Sequence, residues 1–349
     1  MSQIIKNLMV AASHAPSADN SQPWRFLCER DTISIAYDAV RVDGITFPSS
    51  NPATLLAIGG ALENTLQAAE FLGLEANVEF YPQADNESLY ARLSFHDPFR
   101  NKHDVSLENH PLFKRHTNRF PYQSQTLSLQ TATEVTEHIQ GKAQLRFLSD
   151  PGEIKSIAYL AKIASEIRFQ TQEVHEWLAH SLRFTKKEVS AGDGLDLATI
   201  PLPPGGTLFM RFIMDWKWMS LLNRLGTYKL MATLDVKLLT KAPAVIALIG
   251  GSTPKDIIEA GRLLTRVWID LNSRGIAVQP YYVVSDQLQR RLEGKVPPHL
   301  LCQVDKLNEQ IVTQFNLSTS QRLHILLRIG YSTKNPVRSK RLPIDRVCH

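Results

Sequence analysis

The sequence predicts an α+β fold: helices packed around antiparallel-rich sheets, two related halves and one insertion. Three observations predict it. Apolar residues at helical spacing alternate with short strand-like runs along most of the 349-residue chain. Two helical stretches, "GGALENTLQAAEFLGL" (59–74) and "GRLLTRVWIDLNSRGI" (261–276), are bounded by glycines at one offset: Gly59 and Gly261 differ by 202, as do Gly73 and Gly275. Residues 180–240 break the pattern with a polar loop, "SAGDGLDLATIPLPPGG" (190–206), and a stretch rich in Met and Trp. A weaker match pairs "RFL" at 25–27 with "RFL" at 146–148, offset 121, and the 81-residue difference between offsets places an insertion in the second half. Two related halves would pack as a dimer within one chain, residues 1–110 forming the first half and 111–349 the second, with a lid-like insertion at about 180–240.

The elements follow in order. Ile4, Ile5, Leu8, Met9 and Ala12 share one helical face, predicting a helix at 2–13. The polar window "APSADNSQPWRF" (15–26) follows, then strands at Arg25–Cys28 and Thr32–Tyr37 and a loop over 38–52. Thr54–Leu72 is a helix with Leu55, Leu62, Leu66 and Ala69 on one face, stopped by Gly73. Val78–Tyr81 and Leu89–Phe95 are strands, the second alternating through Leu89, Ala91, Leu93 and Phe95. A polar stretch, Asp97–Glu108, separates the halves, and a helix is expected near Pro111. Strand Gln144–Leu148 and helix Glu153–Ile167 precede the irregular region. Strand Ala244–Gly250, helix Pro254–Ser273, a strand-like 277–284, a helical hairpin and strand Leu323–Tyr331 lead into a basic tail. The Met/Trp stretch 209–219 reads first as core and second as a lid that excludes water from a site.

Bulk properties exclude several functions. A net charge of +5 is mild for this length, and the basic clusters are short, without interleaved aromatics, so nucleic acid is not an expected partner. Three scattered cysteines (Cys28, Cys302, Cys348) build neither a disulfide framework nor a zinc site. His175 and His180 stand five apart, off one helical face, and no metal is expected. "PPGG" (203–206) lacks the Lys-Ser/Thr of a phosphate loop. The apolar run 8–12 is shorter than a signal segment and nothing approaches a membrane span, so a cytoplasmic protein without membrane contact is expected.

Three motifs carry a resemblance. "APSADNSQPWRF" resembles the PSxxNxQPW stretch of the FMN-dependent nitroreductase family. "KRHTNRFPY" (114–122) is similar to that family's basic Arg-x-Ser/Thr-x-Arg/Lys motif, and "LRIGYSTKNPVRSKRLP" (327–343) to its C-terminal strand, Gly-Tyr turn and basic tail. The order is inverted, since in the ordinary family the basic motif comes first. With the repeat, this resembles the fused, double-length, Acg-like branch, in which one chain makes the pseudo-dimer.

The resemblance implies one non-covalently bound FMN. Arg115, Thr117 and Arg119, with His116 between them, would take the phosphate. A helix start there would add its N–H groups, and Arg338, Lys340 and Arg341 would close the site from the tail. Ser17, Asn20 and Gln22, on a loop stiffened by Pro16 and Pro23, would read the flavin edge, with Trp24 as anchor. Tyr281 or Tyr282 would flank the ring. Hydride would pass from NAD(P)H to the flavin N5 and on to a nitroaromatic, quinone or similar acceptor, with no side chain assigned a catalytic role. In the two-chain family each site takes the basic motif from one half and the polar loop from the other; here no arginine precedes Ser17 and no PSxxNxQPW copy precedes the strand at 144, so one of the two sites is expected to be lost. The alternatives are an Acg-like protein that sequesters FMN with little turnover, or a scaffold without flavin. The chain would be a monomeric pseudo-dimer or a loose homodimer.

Overall fold

A computed structural model describes residues 3–42, 47–83, 86–96 and 106–348. In the first half, α1 (Gln3–Ser13) buries Ile5, Leu8, Met9 and Ala12. β1 (Trp24–Glu29) and β2 (Thr32–Tyr37) form a hairpin. α2 (Pro52–Phe71) starts at Asn51, whose side chain accepts from the Ala53 N–H at 2.8 Å, with Pro52 in the first turn where no N–H is missed. Gly73 follows its end at φ 73°, a left-handed turn that suits glycine. β3 (Glu75–Phe80) and β4 (Leu89–His96) complete an antiparallel sheet of order β1-β2-β4-β3.

The second half repeats this plan with additions. After α3 (Leu129–Glu137) and β5 (Gln144–Leu148) come α4 (Pro151–Phe169) and α5 (Gln172–Ser181). β6 (Leu182–Arg183), α6 (Lys186–Val189) and β7 (Leu195–Asp196) follow, then α7 (Gly206–Ile213), α8 (Trp216–Asn223) and α9 (Thr227–Val236). The chain returns to the sheet with β8 (Ala244–Gly251), α10 (Pro254–Ser273) and β9 (Ala277–Tyr281). α11 (Val283–Leu292), α12 (Leu301–Phe315) and β10 (Gln321–Gly330) close it. The sheet order is β5-β8-β10-β9, every neighbour antiparallel. Both sheets therefore run first, second, fourth, third strand, with one long helix between the second and third. The ladders also correct one alignment. Phe26 pairs with Ile35 where Leu145 pairs with Leu248, so the two "RFL" tripeptides sit two residues out of register.

The halves meet through α2 and α10, and the contact is reciprocal. A Cβ on Gly59 would strike the Ile258 carbonyl, and one on Gly261 would strike the Leu56 carbonyl. Ile258 stands at Gly59's counterpart minus three, as Leu56 stands at Gly59 minus three. Likewise Gly60 faces Thr265, while the counterpart pair, Arg262 and Glu63, forms an ion pair at 3.1 Å. Two glycines let the helix backbones close, and one continuous core joins α1, α2, α10 and the inner faces of both sheets.

The halves differ in what covers their outer faces. Only Ile33, Ser34 and Ile35 of β2 are buried, whereas all eight residues of its counterpart β8, AVIALIGG, are. A second core of α4, α11 and α12 covers that outer face. This is why β8 is an unbroken apolar run rather than an alternating one.

Two expected elements change. No α-helix starts near Pro111; short 3-10 turns occupy Leu107–Asn109 and Pro111–Lys114, and the chain then runs extended through the basic motif. Pro121 disfavours helix just before it, and the Asn118 N–H is committed to the Val278 carbonyl at 2.9 Å. The strand-like stretch 277–284 ends at Tyr281, where α11 begins two residues on. Most of the polar stretch between the halves, residues 97–105, lies outside the described residues.

Candidate functional site

A cavity of about 1250 Å³ lies where the two halves, the insertion and the tail meet. Of the sequence-predicted residues it is lined by Pro16, Ser17, Asn20, Arg115, His116, Thr117, Arg119, Tyr281, Arg338, Lys340 and Arg341, and by Tyr282. Gln22 is the exception. It is fully buried behind the loop; its Nε2 donates to the Gly192 carbonyl at 2.9 Å and its Oε1 accepts from the Leu342 N–H at 3.1 Å. Gln22 shapes the site and does not face it.

The polar window is a strained, clasped loop. Asp19, Asn20 and Gln22 take φ of 46°, 58° and 51°, a region that non-glycine residues rarely occupy. Such geometry persists only where the surroundings over-determine it. Here the Asn20 Nδ2 donates to the carbonyls of Gly194 and Lys340, both at 3.0 Å, and its Oδ1 accepts from Arg341 at 2.7 Å. The Ser17 hydroxyl accepts from the Gln22 N–H at 3.0 Å. The Asn20 amide is thus spent on joining the loop to the insertion and the tail, not left free for a ligand edge. Trp24 is fully buried.

One end of the cavity is cationic. Arg115 is buried, stacks over the Trp268 ring at 4.8 Å and donates to the His14 carbonyl at 3.1 Å. Its Nε has no partner. Burial, and then the Arg341 and Arg338 charges, push its pKa down to about 9. Arg341 donates to the carbonyls of His14 and Ala15, at 3.4 and 3.1 Å, and its Nε is also unpartnered; burial lowers it to about 10. Neither makes an ion pair among the described residues. His14 and His116 line the same end, both lowered first by burial. Clustered buried cations without a carboxylate are costly alone and are relieved by an anion.

The rest of α10 positions this end. The Trp268 Nε1 donates to the His116 carbonyl at 3.0 Å, and Asn272 Oδ1 accepts from the His116 N–H at 2.8 Å. Fully buried Arg328 stacks 3.8 Å from the Tyr122 ring and donates to the Phe120 carbonyl at 2.7 Å. Sequence reasoning missed these supports. Trp268 lay in plain view at the repeat's own helix, but only the fold sets it under Arg115.

The other end mixes charges. Arg119 donates to Thr199 Oγ1 at 3.3 Å, and burial lowers its pKa against the opposing pull of Asp19, Tyr281, Tyr122 and Asp235. The Tyr281 hydroxyl donates to the Asp235 carbonyl at 3.2 Å. Gln279 Oε1 and the Tyr282 hydroxyl, on lining residues, are buried without partners, as is the Arg168 Nε. Asp286 is raised to about 6, chiefly by burial. Apolar walls come from Ala53, Leu56 and Ala57 of α2 and from Leu264 and Trp268 of α10. The insertion contributes the opposite wall through Leu195, Ile200, Phe209, Met210, Met231 and Leu234.

Comparison with known proteins follows these features. No family model matches the chain. An uncharacterized protein of Mycobacterium tuberculosis (strain CDC 1551 / Oshkosh) is 26% identical over 312 residues, 85% of this chain and 41% of the relative. The acg protein of the same species, whose name marks it as a candidate NAD(P)H nitroreductase, is 33% identical over 124 residues, 34% of this chain and 36% of acg. The matched region thus spans well under half the length of these curated relatives. Among solved structures, the FMN-dependent nitroreductase NfnB of Mycobacterium smegmatis in complex with NADPH is 13% identical, with a TM-score of 0.39, covering 68% of this chain and 95% of that one. A nitroreductase with bound FMN from Bacteroides fragilis is 8% identical, with a TM-score of 0.36, covering 67% and 95%.

Proposed function

We propose that this chain is an FMN-binding oxidoreductase of nitroreductase type, taking two electrons from NAD(P)H and passing them to a nitroaromatic, quinone or similar acceptor. One observation carries the reading: a single cavity joins an uncompensated cationic end to apolar walls and orphaned polar atoms. A phosphate suits Arg115, Arg341, Arg338 and Lys340, because it supplies the charge that the interior withholds. A flat, polar-edged ring system suits the α2 and α10 walls with Gln279 Oε1 and the Tyr282 hydroxyl. Bound FMN would supply two-electron hydride chemistry at its N5. The chain's own part is to hold and orient. Arg115 and the tail arginines neutralise the phosphate, the Asn20 clasp keeps tail and loop together, and the insertion keeps water out.

We further infer that the chain is an intrachain pseudo-dimer with one such site. Ala57, a wall of the cavity, has Glu259 as its counterpart in the repeat. Glu259 is paired with Arg262 and Gln140, and Arg262 and Arg266 both bind the buried Glu63. An ion-paired carboxylate there opposes a second anionic cofactor. A second reading, sequestration of FMN with little turnover, draws on the insertion that forms a whole wall of the cavity. It differs in leaving no room for nicotinamide.

The test is an absorbance scan of purified protein, followed by denaturation to count released flavin. About one FMN per chain is expected. Arg115→Ala should lower the ratio, and so should Arg338→Ala, at an exposed position whose loss leaves the core intact. Two FMN per chain would end the single-site inference, and none after soaking would end the flavin reading. Anaerobic bleaching by NADPH separates the two readings: fast bleaching supports the oxidoreductase, and none supports sequestration.

A further inference from the structure

The insertion carries an outward face that its own small core does not need. Met210, Ile213, Met219 and Ala232 point inward with Phe169 and Leu182. Yet eight of the sixteen large hydrophobic residues exposed among the described residues lie within 208–234, so this is a patch and not scatter. On α7 the outward stripe is Leu208, Phe209 and Phe212. On α8 and its end it is Trp218, Leu221 and Leu225, and on α9 Leu230 and Leu234. Each set follows helical i, i+3 or i+4 spacing. The Phe212 and Trp218 rings lie 5.1 Å apart, which joins α7 to α8. Leu208 and Leu225 are 72% and 84% exposed.

The charges on these helices are mostly positive. Arg211, Lys217, Arg224, Lys229, Lys237 and Lys241 are all exposed, and none has an ion-pair partner among the described residues. The only acids between 206 and 241 are Asp215 and Asp235. Asp215 is used as the cap of α8, accepting from the Lys217 N–H at 2.9 Å, and Asp235 is bound by Ser165 and by Arg168 at 3.1 Å. Interfaces between proteins are depleted in lysine at their cores, whereas aromatic and leucine side chains interleaved with Lys and Arg are the composition that lies in a lipid headgroup layer.

We propose that α7, α8 and α9 form a docking face for an anionic lipid surface, with the cavity opening beside it. Phe209, Leu234, Lys237 and Lys241 belong to both: they line the cavity and stand exposed on this face. A chain seated there would meet hydrophobic ligands at the bilayer surface without crossing it; no helix among the described residues is long and apolar enough to span a membrane. The sequence reading, which expected no membrane contact, took the Met/Trp stretch first as core and second as a lid. The structure divides it into an inner half and an outer half.

The test is co-sedimentation of the full chain with vesicles of phosphatidylcholine alone and with added phosphatidylglycerol, whatever its flavin content. Binding that rises steeply with the anionic fraction and falls with salt is expected, along with a blue shift of tryptophan emission. Leu225→Asp and Lys217→Glu/Lys229→Glu should each weaken binding at least tenfold, with the melting temperature unchanged. No sedimentation with anionic vesicles would overturn the proposal, as would equal binding to neutral ones. So would a concentration-dependent dimer that Leu225→Asp dissociates, because the face would then belong to a second copy. Failure of the flavin reading would leave this result untouched.

Discussion

Arg115 holds a positive charge in the interior with no ion-pair partner among the described residues, and that is the most informative residue in the molecule. Its identity was legible as part of "KRHTNR", but its burial over Trp268 was not. The opposite holds for Asn20 and Gln22. Their place in a polar loop was legible, while their side chains turn out to bind Gly192, Gly194, Lys340 and Leu342, partners some 170 to 320 residues away. His324 went unnoticed in the sequence. It is fully buried on β10 with both ring nitrogens unpartnered, and burial pushes its pKa down to about 3. The unfolded chain therefore binds the extra proton first. Stability should be fully present above pH about 6.5 and fall as pH drops toward 3. His324→Leu should flatten that decline in melts taken between pH 7 and 4, and an unchanged slope would place the acid sensitivity elsewhere.

Among the elements, α2 and α10 were read correctly in position and in their shared glycines. Periodicity located both helices because each has a long buried face. That the glycines exist to let the two helices touch belongs to the tertiary structure, where each meets a carbonyl of the other helix. Gly59→Leu should therefore cost about 3 kcal/mol or more, the upper range for overpacking, since the obstacle is backbone that cannot turn aside. Chemical denaturation would measure it. A loss below about 1 kcal/mol would mean that the helices separate readily and that the crossing is not a rigid axis. The basic motif shows the reverse case. Its residues were found, but the helix expected beneath them is absent, because Pro121 and the bond from Asn118 to β9 keep the segment extended.

At the level of the whole molecule, the last eighteen residues sew the second half onto the first. The Phe26 N–H donates to the Val347 carbonyl at 2.7 Å, the Leu342 N–H to Gln22 at 3.1 Å, and Arg341 grips Asn20. The tail supplies Arg338, Lys340 and Arg341 to the cavity as well. Ending the chain at Asn335 should lower both the melting temperature and the flavin retained per chain. Loss of flavin alone would make the tail a binding element only, and loss of neither would detach it from the site.

The sequence by itself determined the α+β class, the long helices, the shared glycine offset and a set of residues that, Gln22 apart, line one cavity. These are local quantities, set by periodicity, turn chemistry and short motifs. Only the tertiary structure decided that the two sheets share one strand order, that Gln22 faces away from the cavity, and that Arg115 is buried over Trp268. It alone split the insertion into an inner and an outer apolar half. Those facts depend on which distant groups meet, and a side chain's free energy is set by its surroundings rather than by its neighbours along the chain.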